Sequence, residues 1–212
     1  MKYRLLFCAF FALAILAASF AELGRSEIPR GSKGAVILVI RHAEDADNGY
    51  GLSPLGNARA NAYASYFKHF TIDGQPLKLD YIFATSDSRN SHRPRLTVEP
   101  TAEALGLAID SRFKNKQIIE LTEEIMSRPR GANILICWHH GKIPQLLRAL
   151  GADPKILLPN GKWPDDEFSW LVQLRYDVNG HLFESKRINT LSVSLTPKPE
   201  RAFSLGGRPQ LQ

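Results

Sequence analysis

The clearest pattern along this chain is a series of short apolar runs that are each followed by polar residues. Three runs, rich in β-branched residues and too short for stable helices, predict buried strands at residues 35–40, 79–84 and 133–137. Two more strands are predicted at residues 170–174 and 181–185, joined around the turn Asn179-Gly180.

Segments with helical spacing separate these strands. Ser53 as a cap and Pro54 in the first turn predict a helix that runs to about Phe67. A second helix should begin near Pro94 or Pro100 and end at Leu105-Gly106. Two further helices are predicted at residues 117–127 and 143–149. This alternation predicts one α/β domain over residues 35–194, a three-layer α/β/α sandwich with a largely parallel central sheet.

The ends of the chain have a different composition. Lys2 and Arg4 precede an apolar stretch, and Ser19-Phe20-Ala21 resembles a cleavage site, so we expect a signal peptide at residues 1–21 and export from the cytoplasm to the periplasm or medium. An uncleaved membrane anchor is the alternative; cleavage would leave no stable membrane insertion. Residues 22–34 are expected to be a flexible lead and residues 195–212 a disordered tail.

Charge and cysteine content narrow the functional classes. The formal net charge is +6, two units of which come from Lys2 and Arg4, and the remaining cations are scattered. This distribution suits anionic small molecules and lacks the basic stripe expected of a nucleic-acid-binding protein. Removal of the signal segment would leave Cys137 as a single cysteine, so stability must come from the core.

Basic side chains follow the first and third predicted strands. Arg41 and His42 end the first strand, and His139 and His140 follow the third. The carboxyl ends of parallel strands meet at one edge of a sheet, where α/β proteins place their chemistry. A fixed cation beside a nitrogen nucleophile suits a phosphate.

The set Arg41-His42-Ala43, a second arginine and His140-Gly141 resembles the histidine phosphatase superfamily, the phosphoglycerate-mutase-like proteins, over residues 35–150. The resemblance implies a phosphohistidine at His42, with the two arginines and His140 around the phosphate oxygens. It implies no metal and no cofactor, and a small phosphorylated substrate. The expected substrate-binding residues are Asn48, Arg89, His139 and Glu44.

The second arginine can be aligned in two ways. Counting back from the second helix selects Arg93, whereas counting forward from the strand at residues 79–84 selects Arg89. We favour Arg93, because the helix match is longer and an arginine beside a helix N-terminus lies near free backbone donors.

The proton donor departs from the family pattern. Asn115 stands where many members have a glutamate, and an amide cannot protonate a leaving oxygen. Possible replacements are Glu44, Asp45, Asp165 and Asp166, each of which could equally be a surface acid.

Two functions therefore remain open. The first is an exported phosphomonoesterase that acts through a phosphohistidine; the second is a weak or inactive relative that binds a phosphate ligand. His139-His140 as half of a metal site is a third, less favoured interpretation. Residues 86–92 and 160–167 are expected at the mouth of the pocket, and the sequence identifies neither the substrate nor the oligomeric state.

Overall fold

The structure is a computed structural model that describes residues 33–190. Eight strands lie in chain order: β1 (Val36–Arg41), β2 (Thr71–Ile72), β3 (Gln75–Pro76), β4 (Tyr81–Ala84), β5 (Ile109–Asp110), β6 (Asn133–Trp138), β7 (Trp170–Tyr176) and β8 (Leu182–Asn189). The α-helices are α1 (Pro54–Lys68), α2 (Arg93–Leu105), α3 (Ile118–Met126), α4 (Ile143–Ala149) and α5 (Pro154–Leu157), followed by a 3₁₀ turn at Pro159–Gly161.

Six strands form one sheet in the order β5-β4-β6-β1-β7-β8. The four strands from β5 to β1 are parallel, whereas β7 runs antiparallel to both β1 and β8. The buried centre explains the sequence of β1 and β6, which are apolar along almost their whole length because helices cover both faces.

The two faces of β1 pack against different helices. Ile37 and Val39 belong to the core that α3 and α4 cover, and Leu38 and Ile40 belong to the core that α1 and α2 cover. Successive side chains of a strand point to opposite faces, so one apolar run serves both cores. The predicted three-layer α/β/α fold with a largely parallel sheet is confirmed.

Most predicted elements are present with small shifts of their ends. The second helix begins at Arg93, with Pro94 in its first turn, and it continues through Pro100. The strands of the late hairpin extend further than predicted, to Tyr176 and Asn189. The sequence analysis missed three short elements, namely the hairpin of β2 and β3, the edge strand β5, and α5 with its 3₁₀ turn.

The start of α1 is packed tightly against the loop that follows β1. Ser53 caps the helix through its hydroxyl, which accepts a hydrogen bond from the Gly56 amide at 3.0 Å, and the Ser53 amide donates to the Glu44 carbonyl at 2.9 Å. A Cβ on Gly56 would lie 2.4 Å from that carbonyl oxygen. Only glycine permits this approach, which fixes the path of the chain just after His42.

Several expectations fall on parts of the chain that the structure does not describe. The signal peptide at residues 1–21, almost all of the lead at residues 22–34 and the tail at residues 195–212 lie outside residues 33–190. Within the described range, none of the helices combines the length and apolar character needed to span a bilayer.

Candidate functional site

The pairing of β1 with β6 brings the two predicted histidine motifs together. Arg41 is opposite Trp138 in the parallel register, and the His42 amide donates to the Trp138 carbonyl at 3.0 Å. The residues that follow each strand therefore leave the sheet side by side. The ring centroids of His42 and His139 are 5.0 Å apart.

One ring nitrogen of His42, Nδ1, lies close to two hydrogen-bond acceptors. Its Nδ1 lies 2.8 Å from the carbonyl oxygen of Ala43 and 3.3 Å from Asp45 Oδ1. Both neighbours accept hydrogen bonds, so we assign the proton to Nδ1, which leaves the lone pair on Nε2. Burial, with the nearby charges of Arg41 and Arg93, lowers the pKa of His42 to about 3. The imidazole is thus neutral and nucleophilic over the physiological range.

Arg41 is buried and oriented by a loop. Its Nη1 donates to the carbonyl oxygens of Pro164, Asp165 and Glu167 at 3.2, 2.7 and 3.2 Å. The guanidinium carbon stacks 3.8 Å from the centroid of Phe168. These contacts hold the cation next to His42 without neutralising its charge, because carbonyls and an aromatic face carry only partial charges.

The second arginine at the site is Arg93, the first residue of α2. Its Nε is 3.4 Å from Asp45 Oδ1. Thr97, one turn further along, donates through its hydroxyl to the Arg93 carbonyl at 2.8 Å and accepts the Ala43 amide at 2.9 Å. This hydroxyl therefore fixes the start of α2 against the residue after His42.

His139 and His140 complete the ring of basic groups. Burial, followed by the charge of Arg93, lowers the pKa of His139 to about 4. Burial and the charge of Arg41 also lower the pKa of His140, whereas Asp165 acts in the opposite direction. Asp165 Oδ1 is 3.0 Å from His140 Nδ1, and the Asp165 side chain is 93% exposed.

These groups share a pocket of about 770 Å³. Its walls comprise two arginines, three histidines, three carboxylates and four other residues: Arg41, Arg93, His42, His139, His140, Glu44, Asp45, Asp165, Asn115, Gly141, Lys142 and Phe168. The cationic and nucleophilic groups converge from β1, β6 and α2. Such a pocket can bind a tetrahedral oxyanion and offer it a ring nitrogen.

The carboxylates differ in how firmly they are held. Glu44 forms a two-pronged ion pair with buried Arg59, with contacts of 3.0, 3.0 and 2.6 Å. These contacts engage both oxygens of the Glu44 carboxylate, so Glu44 is poorly placed to reach a leaving group or an anion. Asp45 and Asp165 are more exposed, and Asp166 does not line the pocket.

Some residues expected at the site lie elsewhere. Arg89 is exposed in the turn between Ser88 and Ser91, and Asn48 is exposed in the loop after Asp45; neither lines the pocket. The segment at residues 86–92 contributes nothing to the walls, whereas Asp165 of the loop at residues 160–167 does. Of the two segments expected at the pocket mouth, residues 160–167 therefore reach the pocket and residues 86–92 do not.

Other residues at the pocket were not selected from the sequence. Phe168 and Lys142 line it, and Thr97 supports it from behind. Lys142 could have been found, because it directly follows His140-Gly141. Phe168 and Thr97 act through contacts between distant segments, for which the sequence carries no local signal.

The metal interpretation of His139-His140 gains no support in the part of the chain that the structure describes. Within residues 33–190, no group of three or more His, Cys, Asp or Glu side chains is placed to hold a metal ion. Cys137, the residue before Trp138, is buried, and burial raises the pKa of its thiol.

Comparison with known proteins gives matches at the level of structure. No protein-family model matches the chain, and no curated protein matches it significantly. Phosphoglycerate mutase from Plasmodium falciparum is 16% identical with a TM-score of 0.49, over 77% of this chain and 94% of that one. The protein histidine phosphatase SixA in complex with tungstate is 16% identical with a TM-score of 0.48, over 75% and 99%. Phosphoglycerate mutase from Bacillus anthracis is 11% identical with a TM-score of 0.45, over 76% and 93%.

The similar structures are phosphoglycerate mutases and a histidine phosphatase, which are proteins of the kind that the sequence motifs resemble. At these identities the likeness is one of fold. What this pocket can do depends on its own side chains.

The low pKa of His42 has a consequence for stability. In the unfolded chain this pKa returns to about 6.5, so below that pH the unfolded state binds a proton that the folded state does not. Stability is therefore lost as the pH falls below 6.5. Between about pH 7.5 and about pH 5, the unfolding free energy of the native chain should fall by about 2 kcal/mol more than that of His42→Gln. Urea denaturation at each pH measures both. His69→Gln, at an exposed position, is the control for loss of a histidine; equal pH dependence in the native chain and His42→Gln would contradict a buried neutral imidazole.

The two alignments of the second arginine can be separated by binding. Arg93→Gln should weaken binding of inorganic phosphate by about tenfold or more, because it removes a charged hydrogen-bond donor from the pocket. Arg89→Gln makes the same change of charge on an exposed turn and should leave the affinity as it is. Isothermal titration calorimetry measures the phosphate affinity of both variants. A larger loss of affinity in Arg89→Gln than in Arg93→Gln would place Arg89 at the anion.

Proposed function

We propose that the protein is a phosphomonoesterase that transfers the phosphoryl group of a small substrate to His42 and then to water. The observation that carries the proposal is the state of His42, a neutral imidazole whose Nδ1 is held by Ala43 and whose Nε2 is left for attack. Arg41 and Arg93 flank it as fixed cations. A nucleophile set among preorganised cations is what in-line phosphoryl transfer requires.

In the first step, Nε2 of His42 attacks phosphorus, the N–P bond forms and the P–O bond to the ester oxygen breaks. Arg41, Arg93 and His139 stabilise the charge on the three equatorial oxygens. The proton stays on Nδ1 and is donated to the carbonyl of Ala43, which supports the positive charge that develops on the ring. In the second step, water attacks phosphorus, the N–P bond breaks and inorganic phosphate leaves.

The leaving oxygen needs a proton, which we assign to His140 paired with Asp165. Of the three pocket carboxylates, Glu44 is fixed by Arg59 and Asp45 lies on the Nδ1 side of His42. Asp165 lies instead against His140 Nδ1 at 3.0 Å, so it can stabilise an imidazolium that gives its Nε2 proton to the departing alcohol. The neutral His140 then accepts a proton from the attacking water, and the proton balance is restored.

This assignment favours activity on the acidic side of neutrality. His140 must be protonated to act as the acid, and burial and Arg41 lower its pKa below the ordinary value of 6.5. His42 remains neutral down to a pH of about 3. The two requirements overlap only at acidic pH, and a bound phosphate dianion would extend the range upward by raising the pKa of His140.

The second candidate function is a relative that binds phosphate without turnover. The observation in its favour is Asn115, whose amide lines the pocket where many family members are expected to have an acid. Its Oδ1 is buried and finds no hydrogen-bond partner among residues 33–190. Export, which we include in the proposal, is supported by the basic and apolar segments of residues 1–21.

The phosphoenzyme gives a direct test. Rapid quenching of the native protein with a ³²P-labelled aryl phosphate should trap a label that survives alkali and is lost in acid, as an N–P bond requires. His42→Ala should carry no label and lose turnover, because it lacks the attacking nitrogen. His69→Ala, which removes an exposed imidazole at the end of α1, should label like the native chain.

Other outcomes of this experiment would decide against the proposal. Phosphate binding without label or turnover in the native chain would favour the binding protein. Turnover that needs an added metal and persists in His42→Ala would exclude the phosphohistidine route.

The role of Asp165 can be tested by comparing kcat for esters with poor and good leaving groups. Asp165→Asn should lower kcat for alkyl phosphates by about fivefold, as expected for the loss of an exposed ion pair that contributes up to about 1 kcal/mol, and affect 4-nitrophenyl phosphate much less. The alkaline limb of the pH profile should also move to lower pH, because His140 loses the carboxylate that raises its pKa. Asp166→Asn is the matched control; equal losses for both esters with an unmoved pH profile would show that Asp165 is structural.

A further inference from the structure

A second cavity of about 390 Å³ lies directly beside the candidate active site. The two cavities share His140, Gly141 and Asp165 as a common wall. The proposed mechanism places His140 and Asp165 on the leaving-group side. A group attached to the ester oxygen and directed away from His42 would therefore enter this second cavity.

The second cavity is strongly basic. Arg148, Lys155 and Lys162 line it, contributed by α4, α5 and the loop after the 3₁₀ turn. Among the residues that the structure describes, none of these three cations lies in an ion pair. The one acidic residue on its walls is Asp165, which already contacts His140. Three cations and one carboxylate on the same concave surface give this cavity a net positive charge among the described residues.

The chain is shaped to bring these cations together. Asn160 and Gly161 both have left-handed backbone conformations, with φ values of 51° and 69°, which turn the chain back toward α5. A Cβ on Gly161 would lie 3.3 Å from Cγ of Lys155, so the turn packs against the stem of that lysine. Buried Trp163 forms a rigid wall, since its indole Nε1 donates to the Glu167 carbonyl at 2.8 Å.

We propose that this cavity, the basic annex, binds a second anionic group of the substrate. The inference rests on the proposed function and deepens it, because it gives the substrate class: a phosphomonoester whose alcohol portion carries another phosphate or a carboxylate. His42 receives the scissile phosphate, and Arg148, Lys155 and Lys162 hold the distal anion. Binding at two points fixes the ester oxygen next to His140.

The experiment compares esters that differ only in the second anion. A series of α,ω-alkanediol bisphosphates is assayed against the matching hydroxyalkyl monophosphates, so that the length of the chain is varied while the leaving group stays similar. After correction for the two equivalent ends, the bisphosphate of best length should have a kcat/KM about tenfold or more above its monophosphate, as expected for charged hydrogen bonds.

A triple variant with Arg148→Gln, Lys155→Gln and Lys162→Gln should abolish this preference and leave kcat/KM for the monophosphate unchanged. The matched control carries Lys33→Gln, Lys68→Gln and Lys78→Gln, exposed positions that line neither cavity. It loses the same net charge and should keep the preference. This control separates local binding from long-range attraction of anions.

The inference would be overturned if the native protein had equal kcat/KM for both esters. It would also be overturned if the annex variant kept the preference for the bisphosphate. If neither ester is hydrolysed, the proposed function fails, and calorimetry with the intact bisphosphate still decides the annex. Tighter binding of bisphosphate than monophosphate that is lost only in the annex variant supports it; equal binding rejects it.

Discussion

The parallel pairing of β1 with β6 is the constraint on which the site depends. The register that sets Arg41 opposite Trp138 is continued by the hydrogen bond from the His42 amide to the Trp138 carbonyl. Because side chains alternate along a strand, a shift of the pairing by one residue would move the apolar set of β6 to the wrong faces. The two cores of the domain thus hold His42 and His139 in contact, and the free energy that fixes the site comes from the burial of apolar strand residues that take no part in the chemistry.

The cost of this arrangement is the repulsion among basic groups that are partly removed from water. The fold offsets that cost in different ways for each group. Arg41 is surrounded by carbonyl oxygens and an aromatic ring, Arg93 lies beside Asp45, and His42 and His139 avoid the cost by remaining neutral. Asp45 brings a full countercharge to the pocket beside Arg93, whereas the contacts of Arg41 bring only partial charges. The charge of Arg41 is therefore kept for an incoming anion, and this group needs little rearrangement to bind it.

The sequence predicted the elements that depend on burial and periodicity, and it predicted fewer of the contacts that loops make. The central strands, the four long helices and the placement of both histidine motifs at one edge followed from apolar runs and helix caps. Arg93 was preferred over Arg89 because its match to the family runs along a whole helix, and Arg93 is the one of the two that lines the pocket. Asn48 was placed by spacing alone, and the loop after Asp45 carries it to the surface. The contacts of Asp165 and Phe168 join segments more than a hundred residues apart, and no local pattern encodes them.

The three carbonyls that hold Arg41 belong to a loop that also supplies Asp165 and Phe168. The conformation of that loop and the orientation of the guanidinium are therefore thermodynamically linked, and a ligand that prefers this orientation must also favour this conformation of the loop. Evolution could then retune anion affinity through residues 164–168 while leaving every group that meets the anion intact. In relatives of this chain, divergence of that loop would be a sign of changed ligand preference even where the histidines and arginines are identical.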